Sequence, residues 1–178
     1  MPKLKESERD TFLGEPGFMM NIATVDASGA PLSTPIWFVH EEGCIWFTPR
    51  QHSEWLENIR HESRIALCVD EQSMPYRKVV IRGNAELVYD VGNDDLWRDR
   101  YRRIAQRYIP LDDANAYVDG TDDQPRALCS LSLADSEVRT WRMPVEGEAY
   151  NGIWAKRYWT KDAKVNSAAP DVFKESVM

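Results

Sequence analysis

The chain has 178 residues, 43% of them hydrophobic and 29% charged, enough for one domain with a sizeable core but not for two. Lys and Arg number 22 against 29 Asp and Glu, a net charge of −7, so the overall balance gives no reason to hold a nucleic-acid backbone. No apolar run approaches the roughly 20 residues of a membrane-spanning helix, and residues 1–9 are mixed in charge without the apolar stretch of a secretory leader.

The first predicted element is a short helix over residues 7–13, with Ser7 as N-cap and Asp10 in the capping-box position; Gly14 and Pro16-Gly17 end it. An apolar strand follows over 18–25, then turn chemistry over 26–31 (Asp-Ala-Ser-Gly-Ala-Pro). Residues 32–39 alternate as a second strand. Pro35 within it cannot donate to a ladder, which predicts a free edge or a bulge there. A turn at 40–43 and a strand at 44–48 complete a predicted three-stranded antiparallel meander. Ser53 then caps a helix to about His61, with Trp55, Leu56 and Ile59 on one face.

Residues 64–70 return as a strand. A polar loop leads to the longest predicted strand, 78–88, in which Gly83 marks a bulge or a close backbone approach. Residues 93–108 form a helix with Trp97, Tyr101, Ile104 and Tyr108 on one side. Its five arginines read as a solvated face, paired i,i+4 as Asp94/Arg98 and Asp99/Arg103. The acidic stretch 109–124 reads as an irregular crossing loop, and 127–133 with 137–142 as a second hairpin. The remainder, 144–178, reads as a partly irregular C-terminal extension of a single domain spanning 1–178. Six to seven strands with interposed helices predict a mainly β, antiparallel barrel.

Cys44, Cys68 and Cys129 are odd in number and far apart. They read as buried small hydrophobes rather than disulfides or metal ligands, which implies a reducing, cytoplasmic compartment. His40, His52 and His61 show no metal-ligand spacing. A nucleophile elbow, a phosphate loop and a dinucleotide fingerprint are all missing from the sequence. Any redox chemistry would therefore belong to a cofactor. Seven tryptophans fit either a core of large planar side chains or a surface that stacks on an aromatic ligand.

Residues 23–38 (Ala-Thr-Val-Asp-Ala-Ser-Gly-Ala-Pro-Leu-Ser-Thr-Pro-Ile-Trp-Phe) carry a resemblance, together with Ile45-Trp46-Phe47-Thr48, 53–59, 64–69 and 77–83. In this order they resemble the pyridoxamine 5′-phosphate oxidase-like family of FMN- or deazaflavin-binding split barrels, over about residues 5–142. The resemblance implies a split β-barrel and a homodimer with flavin at the subunit interface. It implies FMN, or alternatively a deazaflavin coenzyme, held by Thr34, Pro35, Ile36 and Trp37, by Thr48 and Ser53, and by Lys78. Three positions that are cationic in the true oxidases are Thr34, Glu54 and Trp55 here, which leaves Arg50, His52, Arg77 and Lys78 to compensate. Trp55 reads either as a site residue or as a core-facing one. Trp141-Arg142 and 155–158 echo the pyridoxal-phosphate region only faintly, so oxidation of pyridoxamine phosphate is not expected. Two functions follow: a flavin-dependent oxidoreductase passing hydride to or from a small organic substrate, or a non-catalytic barrel binding flavin, haem or another planar ligand. A scaffold with no ligand is a third.

Overall fold

The structure, a computed structural model, describes residues 2–145. Helix α1 (Glu6–Gly14) opens the chain. Its start is one turn-position earlier than Ser7: the Lys5 N–H donates to the Glu8 carboxylate at 2.6 Å, so a side chain inside the helix closes the N-terminus in place of a serine cap. Strand β1 (Met20–Val25) buries Met20, Ile22 and Thr24. The Asp26 carboxylate then accepts from the Ser28 and Ala30 amides, and Gly29 takes a φ of +86° that only glycine adopts freely. This turn sets β2 (Pro31–Ile36) antiparallel to β1, with Val25 opposite Pro31 and Met20 opposite Ile36.

The predicted 32–39 strand is in fact two. After Ile36 the chain leaves one sheet at Trp37-Phe38 and enters another as β3 (Val39–Glu41), which pairs through a two-residue turn with β4 (Cys44–Phe47). Glu42 and Gly43 both have positive φ, at 56° and 72°, the geometry a tight right-twisted hairpin needs. There is thus no three-stranded meander. The 78–88 strand splits the same way at Ala85, into β6 (Arg77–Asn84) and β7 (Glu86–Tyr89), with β5 (Arg64–Asp70) beside β6. Strands β8 (Leu128–Ser132) and β9 (Glu137–Arg142) are not a hairpin: β8 pairs with β4 and β7, and β9 with β6.

The nine strands of the described residues make two antiparallel sheets, ordered β2-β1-β5-β6-β9 and β3-β4-β8-β7. The chain crosses between them at Trp37, between β4 and β5 over residues 48–63, at Ala85 and at residues 133–136. This is the split-barrel architecture the sequence predicts, with two or three more strands than expected and with pairing that does not close into a continuous barrel. At the last crossing Ser136 packs onto Gly83, where a Cβ would run into its hydroxyl; the close-approach reading of Gly83 holds. Pro35 sits on β2, an edge strand, where a missing donor costs no ladder bond.

Helix α2 (Glu54–His61) follows β4 and buries Leu56, Asn58 and Ile59. The predicted 93–108 helix breaks at Trp97 into a 3-10 turn (Asp94–Leu96) and α3 (Arg98–Gln106). The expected i,i+4 ion pairs are replaced by Arg98–Asp95 and Arg102–Asp99, while Arg103 reaches Glu41 and Arg100 reaches Glu41 and Glu42. The stretch read as a crossing loop contains a fourth helix, α4 (Leu111–Asp119), which packs on α3 through Ala114 and Val118.

The core has two parts. The larger lies between the sheets and under α1 and α2, around Phe12, Phe38, Phe47, Leu67 and Ile81. The smaller joins α3 and α4 to β8 through Trp97, Tyr101, Ala105, Val118 and Leu128, with Trp37, Trp46 and Tyr117 against it. Only Cys129 of the three free cysteines is fully buried, and burial pushes its thiol up to about 12; Cys44 and Cys68 are partly exposed, correcting the expectation for them. The aromatic cluster at 150–159 and the tail beyond it lie outside the described residues.

Candidate functional site

The two cores meet at a cavity of about 280 Å³. Its lining comes from the end of β2 (Thr34, Pro35, Ile36), the crossing residue Trp37, the turn after β4 (Thr48, Arg50, Ser53) and α2 (Trp55). Met19, Tyr101, Tyr117 and Arg126 complete it. Eight of the eleven residues predicted from the sequence therefore share one pocket: Thr34, Pro35, Ile36, Trp37, Thr48, Arg50, Ser53 and Trp55. Three do not line it. His52 is exposed in the turn. Lys78 is exposed on β6 with its ammonium 5.4 Å from the Trp141 ring. Arg77 is held by two carboxylates, donating to Glu71 and Glu15 at 2.6–2.8 Å, over the Phe12 ring.

Local structure explains how the lining converges. The chain must turn from one sheet to the other at Trp37, and its indole is fixed there by stacking on Tyr108, 4.9 Å between centroids and 5° between planes. The Tyr108 hydroxyl donates to Phe18 O and accepts the Phe38 N–H, so the turn after α3 ties the crossing to the segment that leads into β1. Trp55 packs its ring against Phe47 and the larger core, as its core-facing reading expects, and it also lines the pocket. Ser53 heads α2, yet its hydroxyl donates back to Arg50 O at 2.7 Å instead of capping the helix amides.

Four lining residues escaped the sequence reading, and the most informative is Arg126. It pairs with Arg50 in an isolated antiparallel bridge, flanked by Gln51 N–H to Pro125 O and Ala127 N–H to Pro49 O, both 3.0 Å. Two loops remote in sequence are zipped so that two arginines stand side by side. The Arg126 guanidinium is 4.6 Å above the Tyr101 ring, donates to Thr48 O at 3.0 Å and to the Tyr117 hydroxyl at 3.1 Å. Arg50 reaches the same hydroxyl at 3.4 Å. Burial pushes the Arg126 guanidinium below its ordinary range and the Tyr101 phenol above its own. Among the described residues, no lining residue is an acid, a histidine or a cysteine. The pocket is aromatic and hydroxyl-lined with net positive charge, inside a protein of net charge −7.

The pyridoxamine 5′-phosphate oxidase family model matches residues 6–142. The chain belongs to this family. Solved structures share its fold. A conserved hypothetical protein of Mycobacterium tuberculosis is 21% identical, with 82% of this chain and 94% of that one covered and a TM-score of 0.64. An F420 reductase is 24% identical, covering 79% and 96%, at a TM-score of 0.51. A FAD and heme binding protein of Mycobacterium smegmatis is 18% identical, covering 93% and 78%, at 0.58. No curated protein matches the sequence. Among the described residues no helix is long and apolar enough to cross a membrane.

Proposed function

We propose that this member of the pyridoxamine 5′-phosphate oxidase family is a flavin-dependent oxidoreductase that holds FMN, or a deazaflavin coenzyme, in the pocket beside Trp37. The observation that carries the reading is the lining formed by the described residues: two guanidiniums, three hydroxyl side chains from Thr34, Thr48 and Ser53, the aromatic rings of Trp37, Trp55, Tyr101 and Tyr117, and no carboxylate. Such a set suits a planar ring with a phosphorylated tail. The bound ring would supply the hydride chemistry. The chain's own residues bind and orient: Trp37 and Tyr108 stiffen one wall, β2 offers an unpaired strand edge, and the cationic end takes the phosphoryl group.

The active form we infer is a homodimer in the cytoplasm. Ala23, Ala66, Cys68 and Val80 stand on neighbouring strands of the five-stranded sheet, half-buried and facing away from the core, a small-residue surface that suits a second copy. The three free thiols suit a reducing compartment.

A second reading, ligand storage without turnover, is favoured by the lack, among the described lining residues, of any acid, histidine or cysteine to move a proton. Met19, Tyr101 and Tyr117 are the described lining side chains that could hold a haem iron. One set of spectra separates the two. Added FMN or deazaflavin should bind with quenched fluorescence, and the bound cofactor should be reduced or reoxidised by a nicotinamide or small organic partner. Cofactor binding with no turnover of any donor favours storage. A Soret band on adding haemin, with no flavin binding, ends the flavin reading.

A further inference from the structure

We propose that Arg126 is the anchor for the phosphoryl group of the pocket's ligand, with Arg50 as its solvent-facing partner and Tyr117 as the bridge that fixes their spacing. The proposal rests on the reading above for the identity of the ring, but the anion it demands stands on the geometry alone.

Arg126 is 8% exposed, so its charge has been taken out of water. Among the described residues it makes no ion pair. Asp94, the acid that reaches this loop, spends one oxygen on the Arg126 backbone N–H at 2.7 Å. Two of the five guanidinium N–H groups are used, by Thr48 O and by Tyr117. The buried Nε has no partner. A buried cation with no carboxylate on its guanidinium is costly, and the Asp94 charge acting through space offsets that only in part. An anion entering the cavity that Arg126 lines relieves it through the two unused terminal N–H groups.

The other arginines show that this is not the chain's habit. Arg77, Arg100, Arg102 and Arg103 each meet carboxylates. Arg107, also mostly buried, gives both terminal nitrogens to the Leu13 and Glu15 carbonyls and does not line the pocket. The Nε of Arg100 and of Arg107 also lacks a hydrogen-bond partner, but Arg100 meets the Glu41 and Glu42 carboxylates and Arg107 lies away from this pocket; among the described residues Arg126 alone joins deep burial and the lack of an ion pair to a place in this pocket's lining. Its fork is also immobilised, by the Tyr101 ring below it and two hydrogen bonds at its rim, so little entropy is lost when an oxyanion binds. The cationic positions that Thr34, Glu54 and Trp55 vacate are thereby replaced from a different element, the loop between α4 and β8.

The test compares FMN, riboflavin and inorganic pyrophosphate on the full chain, wild type and variants, by flavin fluorescence and by the Nε–Hε resonance of Arg126. Wild type should prefer FMN to riboflavin by about 10–100-fold, the range charge-assisted hydrogen bonds give. Arg126→Gln should erase most of that preference while leaving riboflavin affinity unchanged. Arg126→Lys should keep part of it, and Arg50→Gln should lose about 3–10-fold. An FMN preference untouched in folded Arg126→Gln, or erased by Lys78→Gln instead, overturns the assignment. If Arg126→Gln does not fold, Arg126→Lys and Arg50→Gln carry the same comparison. If no flavin binds at all, the flavin reading fails and pyrophosphate decides: a saturable shift of the Arg126 resonance upholds the anchor, and a resonance that does not move overturns it.

Discussion

Arg77 and Arg126 are both partly or wholly buried arginines above an aromatic ring, and the sequence ranks only the first as a site residue. Arg77 lies 4.6 Å over Phe12 with four hydrogen bonds to Glu15 and Glu71. Those contacts, with Glu71 foremost, raise its pKa further above the ordinary arginine range. Arg126 lies 4.6 Å over Tyr101 with no carboxylate on its guanidinium, and burial lowers its pKa. One is a finished structural clasp joining α1 to β6 and the polar loop before it; the other is a charge awaiting a partner. The chemistry of a site lies in what a cation lacks, not in its presence.

The largest test of this contrast is Arg77→Met. Removing the cation leaves Glu15 and Glu71, at 33% and 14% side-chain exposure, facing each other without it. Breaking such a part-buried network should cost about 2–4 kcal/mol of unfolding free energy, discounted from fully buried values for the water that still reaches it. Urea denaturation measures this. FMN affinity of the folded fraction should be unchanged. A variant as stable as wild type would show that the clasp is surface ornament.

Alkaline pH should act on the other region. Burial raises the Tyr101 and Tyr108 phenols above their ordinary value. In the unfolded chain both ionise near pH 10, while the folded state keeps its protons. Their contribution is therefore complete below about pH 10 and is lost as pH climbs toward the raised values, at up to about 1.4 kcal/mol per pH unit for each group. Tyrosinate absorbance should accordingly lag in the folded protein, then rise together with unfolding. Tyr108→Phe should remove part of the dependence and loosen Trp37, since the donated bond to Phe18 O goes with the hydroxyl. Early, complete ionisation in the folded state would contradict the burial of both phenols.

Much of the frame was legible in the residues. Apolar runs located β1, β5 and the core of β6, Gly29 and Gly43 marked turns that need their positive φ, and Pro35 marked an edge. What alternation does not carry is the identity of the sheet. The period of two runs on across Trp37 and again near Ala85, so one long strand and two strands in different sheets look the same. Helix α4 was hidden because Asp112, Asp113 and Asp119 dominate a segment whose inward face is only Ala114 and Val118. The site was legible as far as it follows local order, residues 34–37 and 48–55. Arg126 was not, because its partners are Thr48, Asp94 and Tyr117, all distant in sequence except the last. One signal was available: a lone arginine standing directly before the apolar run 127–133 is a charge about to enter a core.

Trp55→Lys sharpens the comparison by adding a cation at one of the three positions that the sequence resemblance implies are cationic in the true oxidases. It should cost about 1 kcal/mol, because the half-exposed indole loses its packing on Phe47. If Arg126 already supplies the anchoring charge, FMN affinity should rise by no more than about threefold, since an exposed added ammonium contributes little. A gain beyond tenfold, read by fluorescence titration, would mean that the pocket's anion site is short of charge and that Arg126 is not filling it.

The smallest stability effect should come from Arg126→Met, and its smallness is the point. In the ligand-free protein two opposing changes meet at this residue. The variant loses hydrogen bonds to Thr48 O and Tyr117, each worth about 1 kcal/mol net. It also removes a desolvated charge with no carboxylate against it and an unpartnered Nε, a relief of similar or greater size. Methionine fills the vacated space over Tyr101 with a flexible apolar chain. Unfolding free energy should stay within about 1 kcal/mol of wild type, against a loss several times larger for Arg77→Met. Pyrophosphate should then stabilise the wild type against heat and leave Arg126→Met where it was, because only a ligand bound to the native state shifts the equilibrium. If Arg126→Met instead falls as far as Arg77→Met without any ligand present, the two arginines are the same kind of residue, and the pocket's charge is structural.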